Sequence, residues 1–211
     1  MKTAIIPSLI AKNQKEFDKI FGKVKSHSKI FQLDIMDGKF VKNKSLIFNF
    51  KLPKGKKYEA HLMVKNPESW ISRNWKKADL IIFHIESLKS NSKVREIIKL
   101  IKLKRKKIGI ALNPTTKVKR IIPYLNSINM ILVMTVIPGR YGSKFLPNTL
   151  KKVKEIRKLK PKLNIEVDGG INDKTIHQTK KAGATSFVIG SYLQKSEYVK
   201  TSFKFLKDKL K

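Results

Sequence analysis

The sequence predicts an α/β fold in which a single (β/α)8 TIM barrel occupies residues 1–211. Eight apolar runs of strand length recur at intervals of about 20 to 30 residues, and amphipathic or charged segments separate them. Strands that alternate with helices form parallel sheets, and eight such units usually close into a barrel. No linker or shift in composition divides the 211 residues, and this length suffices for one full core, so we expect one domain.

The eight strands are predicted where short apolar runs end at polar, small or turn-forming residues. In chain order they span residues 4–7, 30–36, 58–63, 80–84, 107–113, 130–135, 164–168 and 186–189. Amphipathic or charged segments between them predict helices over 15–26, 67–75, 93–103, 146–159, 174–181 and 198–210. Four residues whose side chains can accept hydrogen bonds from helix N-termini are predicted as N-caps: Asn13, Asn66, Ser92 and Asn172.

The formal net charge of +33 raises the question of a polyanionic partner. Only six of the 48 basic residues are arginines, whereas proteins that read nucleic acids favour the forked guanidinium of arginine. The lysines are also spread along the whole chain, mostly on predicted helix faces. We therefore favour solvated surfaces and compositional bias over a functional basic surface, and we expect no nucleic-acid partner.

Composition and the first residues bear on location. The chain has no cysteine, which excludes disulfides and thiolate metal sites. No apolar run approaches the roughly 20 residues that span a bilayer. The opening MKTAIIPSLI has only a short apolar stretch and lacks a small-residue cleavage site, so we interpret it as the first strand. We expect a cytoplasmic protein that has no membrane partner.

Three polar side chains follow apolar runs at the ends of three predicted strands. They are Asp34 in FQLDIMDG, His61 in YEAHLMV and Asp168 in IEVDGGIN. In a parallel barrel the C-terminal strand ends converge on one mouth, so these residues can share one site despite their separation in sequence. Two carboxylates and an electrophile are what acid/base chemistry on a carbon next to a carbonyl needs.

Glycine-bearing loops follow the last predicted strands. Gly169 and Gly170 follow the seventh strand, and Gly190 with Ser191 follows the eighth. Glycine lets backbone approach an anion, and barrels often hold phosphate in these two loops. A third loop at 138–145, PGRYGSKF, contains Gly139 and Gly142 and could cover the mouth. The alternative is that glycine serves only the turn geometry of these loops.

Seven motifs in order give the chain a resemblance to the ribulose-phosphate 3-epimerase family, from the first strand to the eighth. They are PSLI at 7–10, DIMDGKFVKN at 34–43, HLMV at 61–64, LNP at 112–114, MTVIPG at 134–139, EVDGGIN at 166–172 and IGS at 189–191. Each motif alone is modest evidence. Seven in order at strand ends are specific for the superfamily.

The resemblance implies an epimerase that inverts C3 of a ketose phosphate, D-ribulose 5-phosphate to D-xylulose 5-phosphate. Asp34 and Asp168 match the two acid/base residues of the family, which act on opposite faces of the substrate through an enediolate. The family stabilises that charge with one divalent metal ion (zinc, iron, manganese, cobalt or magnesium), held by two histidines and the two aspartates. His61 matches one of these histidines and also borders the substrate.

The resemblance further assigns a substrate pocket and a phosphate cradle. Residues that match or lie in the pocket are Ser8, Met36, His61, Met63, Met134, Gly139 and Gly142. The cradle is backbone around Gly169, Gly170, Gly190 and Ser191. The partner is then a phosphorylated sugar, and the family forms homo-oligomers. Polarizable methionine sulfurs would give the pocket an adaptable wall.

Two departures from the family pattern bear on chemistry. Gln32 stands where the family has its first metal-binding histidine, and an amide oxygen suits magnesium or manganese better than zinc or iron. In the loop after strand six, Arg140, Tyr141 and Ser143 replace Phe, Gly and Gln of the family pattern. These departures favour, as an alternative, a 3-epimerase for a hexulose or heptulose phosphate. A separate alternative is an inactive homologue whose basic surface binds polyanions, and the retention of Asp34, Asp168 and His61 counts against it.

Other polar residues have structural interpretations. His84 and Glu86 in FHIES match a family feature of the fourth strand, and we interpret them as supporting the site from outside or as purely structural. Asp37 in MDGKF is expected to cap the following turn. His27 and His177 lie on predicted helices and are expected at the surface.

Overall fold

The computed structural model describes residues 3–139 and 142–211. Eight parallel strands form the barrel: β1 Ala4–Leu9, β2 Ile30–Asp37, β3 Lys57–Met63, β4 Leu80–His84, β5 Lys107–Leu112, β6 Met130–Met134, β7 Asn164–Asp168 and β8 Ser186–Ile189. A ninth, two-residue strand, Lys44–Ser45, joins the sheet antiparallel to the end of β2. Each barrel strand pairs with the next along the chain, and β1 pairs with both β2 and β8, which closes the sheet. The predicted (β/α)8 TIM barrel is confirmed.

Helices surround this barrel: α1 Gln14–Val24, α2 Pro67–Asn74, α3 Asn91–Leu103, α4 Leu150–Leu159, α5 Ile176–Ala182, α6 Ser191–Gln194 and α7 Val199–Asp208. In α3 the buried residues are Val94, Ile97, Ile98 and Ile101, which share one helix face at the spacing of an amphipathic helix. In residues 3–139 and 142–211, no helix is long and apolar enough to cross a membrane.

Two predicted N-caps are confirmed and two are corrected. The Oδ1 atoms of Asn13 and Asn66 accept backbone hydrogen bonds at the starts of α1 and α2. The cap of α3 is Ser90, because the helix begins at Asn91 and Ser92 already lies in its first turn. The side chain of Asn172 closes a turn through the backbone N–H groups of Lys174 and Thr175, and α5 begins only at Ile176.

The fifth strand-to-strand connection departs from the regular pattern. The described segment 113–129 contains two three-residue 3₁₀ helices, Val118–Arg120 and Ile122–Tyr124, and no α-helix. Pro123 inside the second of them removes a backbone donor, which is one reason that an α-helix does not propagate here. The predicted helix at 146–159 is also shorter, because Pro147–Thr149 forms a 3₁₀ turn before α4.

Apolar residues form one layer outside the sheet and a second layer inside the barrel, where two carboxylates are also buried. A large core packs the outer face of the sheet against the helices. Inside the barrel a smaller cluster contains Ile6, Leu80, Ile82, Ala111, Met130, Leu132, Met134, Val136 and Val188. Two carboxylates, Glu59 on β3 and Glu166 on β7, are also buried there. Oε2 of Glu59 and both oxygens of Glu166 have no donor among the described residues.

Because these two glutamates are buried, we expect the free energy of unfolding to depend on pH. Burial raises the pKa of Glu59 to about 7 and that of Glu166 well above its ordinary range, where the charge of Glu59 adds to the effect. A carboxyl whose folded pKa exceeds its unfolded pKa stabilises the fold at low pH. That contribution is lost as pH rises from the ordinary value of 4.5 through about 7.

Glu59→Gln is therefore expected to raise the free energy of unfolding at pH 8 by roughly 1–2 kcal/mol, because the substitution removes a buried charge. At pH 4.5 the difference should be much smaller. Urea denaturation at both pH values measures it, with the exposed Glu68→Gln as the matched control. A Glu59→Gln variant no more stable than the native chain at pH 8 would contradict the interpretation.

Candidate active site

The three polar side chains predicted at strand ends meet inside the barrel mouth. Asp34 and His61 are paired residues of neighbouring strands β2 and β3, and Asp168 ends β7. Nδ1 of His61 lies 3.1 Å from Oδ1 of Asp34 and 3.4 Å from Oδ2 of Asp168. One ligand atom from each residue lies within 4.8 Å of the others, so the three together can hold a metal ion.

Gln32 bridges the two aspartates. It lies two residues before Asp34 and so points to the same face of β2. Its Nε2 donates to Oδ1 of Asp34 at 2.8 Å and to Oδ2 of Asp168 at 2.9 Å. Its Oε1 is buried and has no hydrogen-bond partner in the parts of the chain that the structure describes. Because Nε2 faces the two aspartates, this oxygen would reach a cation at the cluster only after the amide turned over.

Burial shapes the protonation of this cluster. Burial and the charge of Asp168 raise the pKa of Asp34, although hydrogen bonds from His61 and Gln32 oppose the change. Burial lowers the pKa of His61, but hydrogen bonds and charges of Asp168 and Asp34 outweigh it and raise the pKa to about 9. Protons and a metal ion therefore compete for the same atoms, as is usual for sites built from ionisable ligands.

The donor set fits a divalent ion. Two carboxylates and one imidazole are ligands that such ions share. Gln32 would add a fourth ligand only after its amide turned over, because its Nε2 faces the two aspartates. The described cluster thus has more oxygen ligands and fewer nitrogen ligands than a set with two histidines.

A cavity of about 690 Å³ opens above this cluster. The predicted pocket and cradle residues that line it are Ser8, Met36, Met63, Met134, Gly139, Gly142, Gly169, Gly170, Gly190 and Ser191. Asp34 and Asp168 lie at its floor, whereas Gln32 and His61 are fully buried beneath them. The structure thus brings together every candidate residue that the sequence singled out for the site.

The cradle loops require glycine at both Gly169 and Gly170. A Cβ on Gly169, where φ is +112°, would lie 2.3 Å from Cγ2 of Val136. Gly170 has a φ of +66°, and a Cβ there would lie 2.9 Å from Cβ of Phe145 and 3.0 Å from its backbone. Only glycine adopts such a conformation freely, and here it also lets two loops approach. Ser191 begins α6, whose Gln194 donates through Nε2 to the carbonyl of Ser8 at 3.0 Å and so ties this loop to β1.

Two loops interlock over the cavity, which the sequence did not indicate. Nδ2 of Asn43 donates to the carbonyl of Gly139 at 2.5 Å. A Cβ on Gly139 would meet Cβ of Val41 at 2.4 Å, so the two backbones pack closely. The loop after β2 therefore contacts the loop after β6. Arg140 and Tyr141, which depart from the family pattern, lie outside the described residues.

Three lysines widen the mouth, and sequence reasoning had not singled them out. Lys12, Lys42 and Lys44 line the cavity on the side of β1 and β2. Their positive charge favours an anionic substrate, in keeping with the net charge of the chain. Because lysine is so common in this sequence, no local pattern distinguished these three.

Comparison with known proteins decides the family. The sequence model of the ribulose-phosphate 3 epimerase family matches residues 4–194. This chain belongs to the ribulose-phosphate 3-epimerase family. It is 36% identical over 200 residues to the ribulose-phosphate 3-epimerase of Schizosaccharomyces pombe, an alignment that covers 90% of this chain and 86% of that protein.

A rice relative in the family is more similar over a shorter stretch. The ribulose-phosphate 3-epimerase, cytoplasmic isoform, of Oryza sativa subsp. japonica is 40% identical over 167 residues, which cover 75% of this chain and 72% of that protein. Among solved structures, KGPDC from Streptococcus mutans superposes with a TM-score of 0.72 over 100% of this chain and 98% of that one. At 14% identity the similarity to KGPDC concerns the barrel fold alone.

Proposed function

We propose that this protein inverts C3 of D-ribulose 5-phosphate and gives D-xylulose 5-phosphate. The observation that supports the proposal most is the pair of carboxylates, Asp34 and Asp168, at the floor of one cavity in a chain of the ribulose-phosphate 3-epimerase family. Epimerisation needs one group that removes a proton and another that returns one to the opposite face. Two aspartates from strands β2 and β7 supply such groups.

The proposed proton transfers balance without any co-reactant. One aspartate takes the C3 proton, and the electron pair left behind forms the C2–C3 double bond of an enediolate while charge moves to the C2 oxygen. The other aspartate then gives its proton to the opposite face of C3, and the C2 carbonyl re-forms. Both carboxyl groups exchange roles in the reverse direction. The shared donor Gln32 Nε2, at 2.8 and 2.9 Å, fixes their relative position.

Asp34, His61 and Asp168 would hold one divalent metal ion. Such an ion, when bound, supplies positive charge against the negative charge that develops on the substrate oxygens. For Gln32 to contribute its oxygen, its amide would turn over. Its Nε2 would then face Glu59, its partner on β3, whose Oε2 has no donor among the described residues. We propose manganese or magnesium as the favoured ions.

The rest of the cavity would orient the sugar phosphate. The side chains of Met36, Met63 and Met134 form an apolar wall beside the two aspartates. The backbone of the loops at 169–170 and 190–191 would hold the phosphate, since glycines there let N–H groups approach an anion. The lysines at the mouth would raise the rate of substrate capture in a manner that salt weakens.

Gly170→Ala is expected to raise KM for the sugar phosphate about tenfold. The new Cβ would press on Phe145 and strain a backbone held at a φ of +66°, so the cradle would shift. Steady-state kinetics and inorganic phosphate competition measure the effect. Gly55→Ala is the matched control: Gly55 has a φ of +75° in an open loop away from the cavity. Equal KM values for the native chain and Gly170→Ala would remove this loop from phosphate binding.

The direct test is epimerisation of D-ribulose 5-phosphate by protein stripped of metal and then supplied with Mg²⁺, Mn²⁺, Fe²⁺, Co²⁺ or Zn²⁺ in turn. We expect turnover to D-xylulose 5-phosphate, with Mn²⁺ or Mg²⁺ as the best activators. Folded protein that shows no turnover with any of these ions would contradict the proposal.

The cavity volume favours a second candidate within the same chemistry. A cavity of about 690 Å³, with Lys12, Lys42 and Lys44 in its lining, leaves room beyond a pentose phosphate. A hexulose or heptulose phosphate would extend toward Lys12 and Lys44. A higher kcat/KM for a longer ketose phosphate than for D-ribulose 5-phosphate would assign the protein to that substrate. Retention of both aspartates counts against an inactive homologue that binds polyanions.

We also propose a cytoplasmic location, which the name of the rice relative states for that protein. Assembly into homo-oligomers stays a prediction from the family resemblance. Size-exclusion chromatography with light scattering measures it directly.

A further inference from the structure

His61 is the start of a buried hydrogen-bonded chain that leads away from the cavity. Its Nε2 lies 2.8 Å from Nε2 of His84 on the neighbouring strand β4. Nδ1 of His84 lies 3.3 Å from Oε2 of Glu86. The other oxygen of Glu86, Oε1, accepts the backbone N–H of Asn113 at 2.9 Å. Four groups from three successive strand ends are thus linked in line.

The two histidines of this chain are shielded from water. Both imidazole rings are fully buried and stack with centroids 5.0 Å apart, and the ring of Phe40 covers His84 at 4.8 Å. The 2.8 Å contact between the two Nε2 atoms needs one donor and one acceptor, so only one of them carries a proton. Burial raises the pKa of Glu86, but hydrogen bonds from His84, Thr116 and Asn113 outweigh this effect and lower that pKa, so the carboxylate form is favoured.

The chain has only one direction that satisfies every member. The N–H of Asn113 can only donate, so Glu86 accepts there and, as a carboxylate, also accepts from His84. His84 then carries its proton on Nδ1, and its Nε2 is an acceptor. The Nε2 of His61 must therefore be the donor, so the proton that a metal ion would displace from His61 is the one on Nδ1.

We propose that Glu86 and His84 are positioning residues that fix the tautomer of His61, so that its Nδ1 faces Asp34 and Asp168 as a ready metal ligand. The inference rests on the proposed function in one respect, the metal ion at that cluster. The proposal explains the presence of His84 and Glu86 in the FHIES segment, which neither the barrel fold nor the acid/base chemistry requires. A ligand held in one orientation by outer hydrogen bonds binds its ion more tightly than a free one.

Lys152 holds the far end of this hydrogen-bonded chain, the backbone of Asn113, in place. Nζ of Lys152 on α4 donates to the carbonyls of Asn113, Pro114 and Thr116 at 2.8, 2.6 and 2.5 Å. This lysine fixes the loop after β5, which has no α-helix of its own to anchor it. The loop in turn fixes Glu86 through the N–H of Asn113. The orientation of His61 therefore depends on contacts outside the cavity, which reach it through Glu86 and His84.

Glu86→Gln is the decisive variant because it has the same shape and reverses the chain. The N–H of Asn113 forces the amide oxygen to stay at the Oε1 position, so the new NH2 group must face Nδ1 of His84. His84 then carries its proton on Nε2, His61 must accept there, and its own proton moves to Nδ1, where the metal would bind. We expect the Kd for Mn²⁺ to rise 10- to 100-fold.

Two readouts test this on the full chain. Titration calorimetry with Mn²⁺ gives the Kd of the native protein, of Glu86→Gln, and of Asp79→Asn, a control that makes the same change at a carboxylate accepting the N–H of Tyr58. Imidazole ¹⁵N shifts locate the His84 proton: on Nδ1 in the native protein, with or without diamagnetic Mg²⁺, and on Nε2 in Glu86→Gln.

The outcomes separate the two proposals. A native His84 with its proton on Nε2, or a folded Glu86→Gln variant with unchanged Mn²⁺ affinity, would overturn the inference. His84→Gln keeps an acceptor toward His61 and a donor toward Glu86, and we expect it to lose less Mn²⁺ affinity than Glu86→Gln. Native protein that has its His84 proton on Nδ1 but binds none of the five ions would refute the proposed metal site while supporting the proton arrangement.

Discussion

Asp34→Asn and Asp168→Asn are each expected to lower kcat for epimerisation by about a thousandfold, within the range that a lost acid/base group costs. In the proposed mechanism each aspartate works on its own face of C3, so neither can replace the other. An asparagine keeps the size of the side chain and removes the proton-transferring oxygen. Circular dichroism and thermal unfolding should show an intact barrel. Substantial residual activity in either variant would remove that residue from its role.

Hydrogen exchange in D2O refines this test. An enzyme with one working carboxylate can still take the proton from one epimer and return deuterium to the same face. One variant should therefore exchange the C3 hydrogen of D-ribulose 5-phosphate and the other that of D-xylulose 5-phosphate, both without epimerisation. Saturating Mn²⁺ in the assay separates this effect from weaker metal binding. Exchange of both epimers by one variant would indicate a single-base mechanism.

Gln32→His is expected to raise the affinity for Zn²⁺ about a hundredfold and to raise that for Mg²⁺ much less. The new imidazole replaces an amide whose Nε2 now bridges Asp34 and Asp168, and it adds the nitrogen ligand that zinc prefers. Calorimetric titration of both ions gives the ratio. Gln32→Leu, which removes the bridge without adding a ligand, is the control. An unchanged Zn²⁺ affinity in Gln32→His would show that position 32 does not face the ion.

The convergence of Asp34, His61 and Asp168 could be predicted because two simple rules suffice for it. Strand alternation gives the inward face, and the parallel barrel brings C-terminal strand ends together. The same rules place Glu59 and Glu166 inside, two residues earlier on their strands. They do not say which inward side chains touch across the barrel, because that depends on the stagger of the strands.

Individual hydrogen bonds were harder to predict, because more than one residue nearby could form them. Ser90 and Ser92 are both good N-caps, and only the packing of α3 decides that the helix begins between them. The chain from Glu86 to His61 likewise needs three strand ends at fixed distances. Sequence identified FHIES as a family feature but gave no reason for it, since hydrogen-bond direction depends on a backbone N–H from another loop.

The contact of Val41 with Gly139 restricts the substitutions that evolution can accept at these two positions. A side chain at position 139 would need both a backbone that tolerates a φ of +87° and a smaller neighbour at position 41. Either substitution alone leaves a clash or a gap between the loops that roof the cavity. Positions 41 and 139 therefore form an epistatic pair, and a new substrate preference that arises in one loop has to be accommodated by the other.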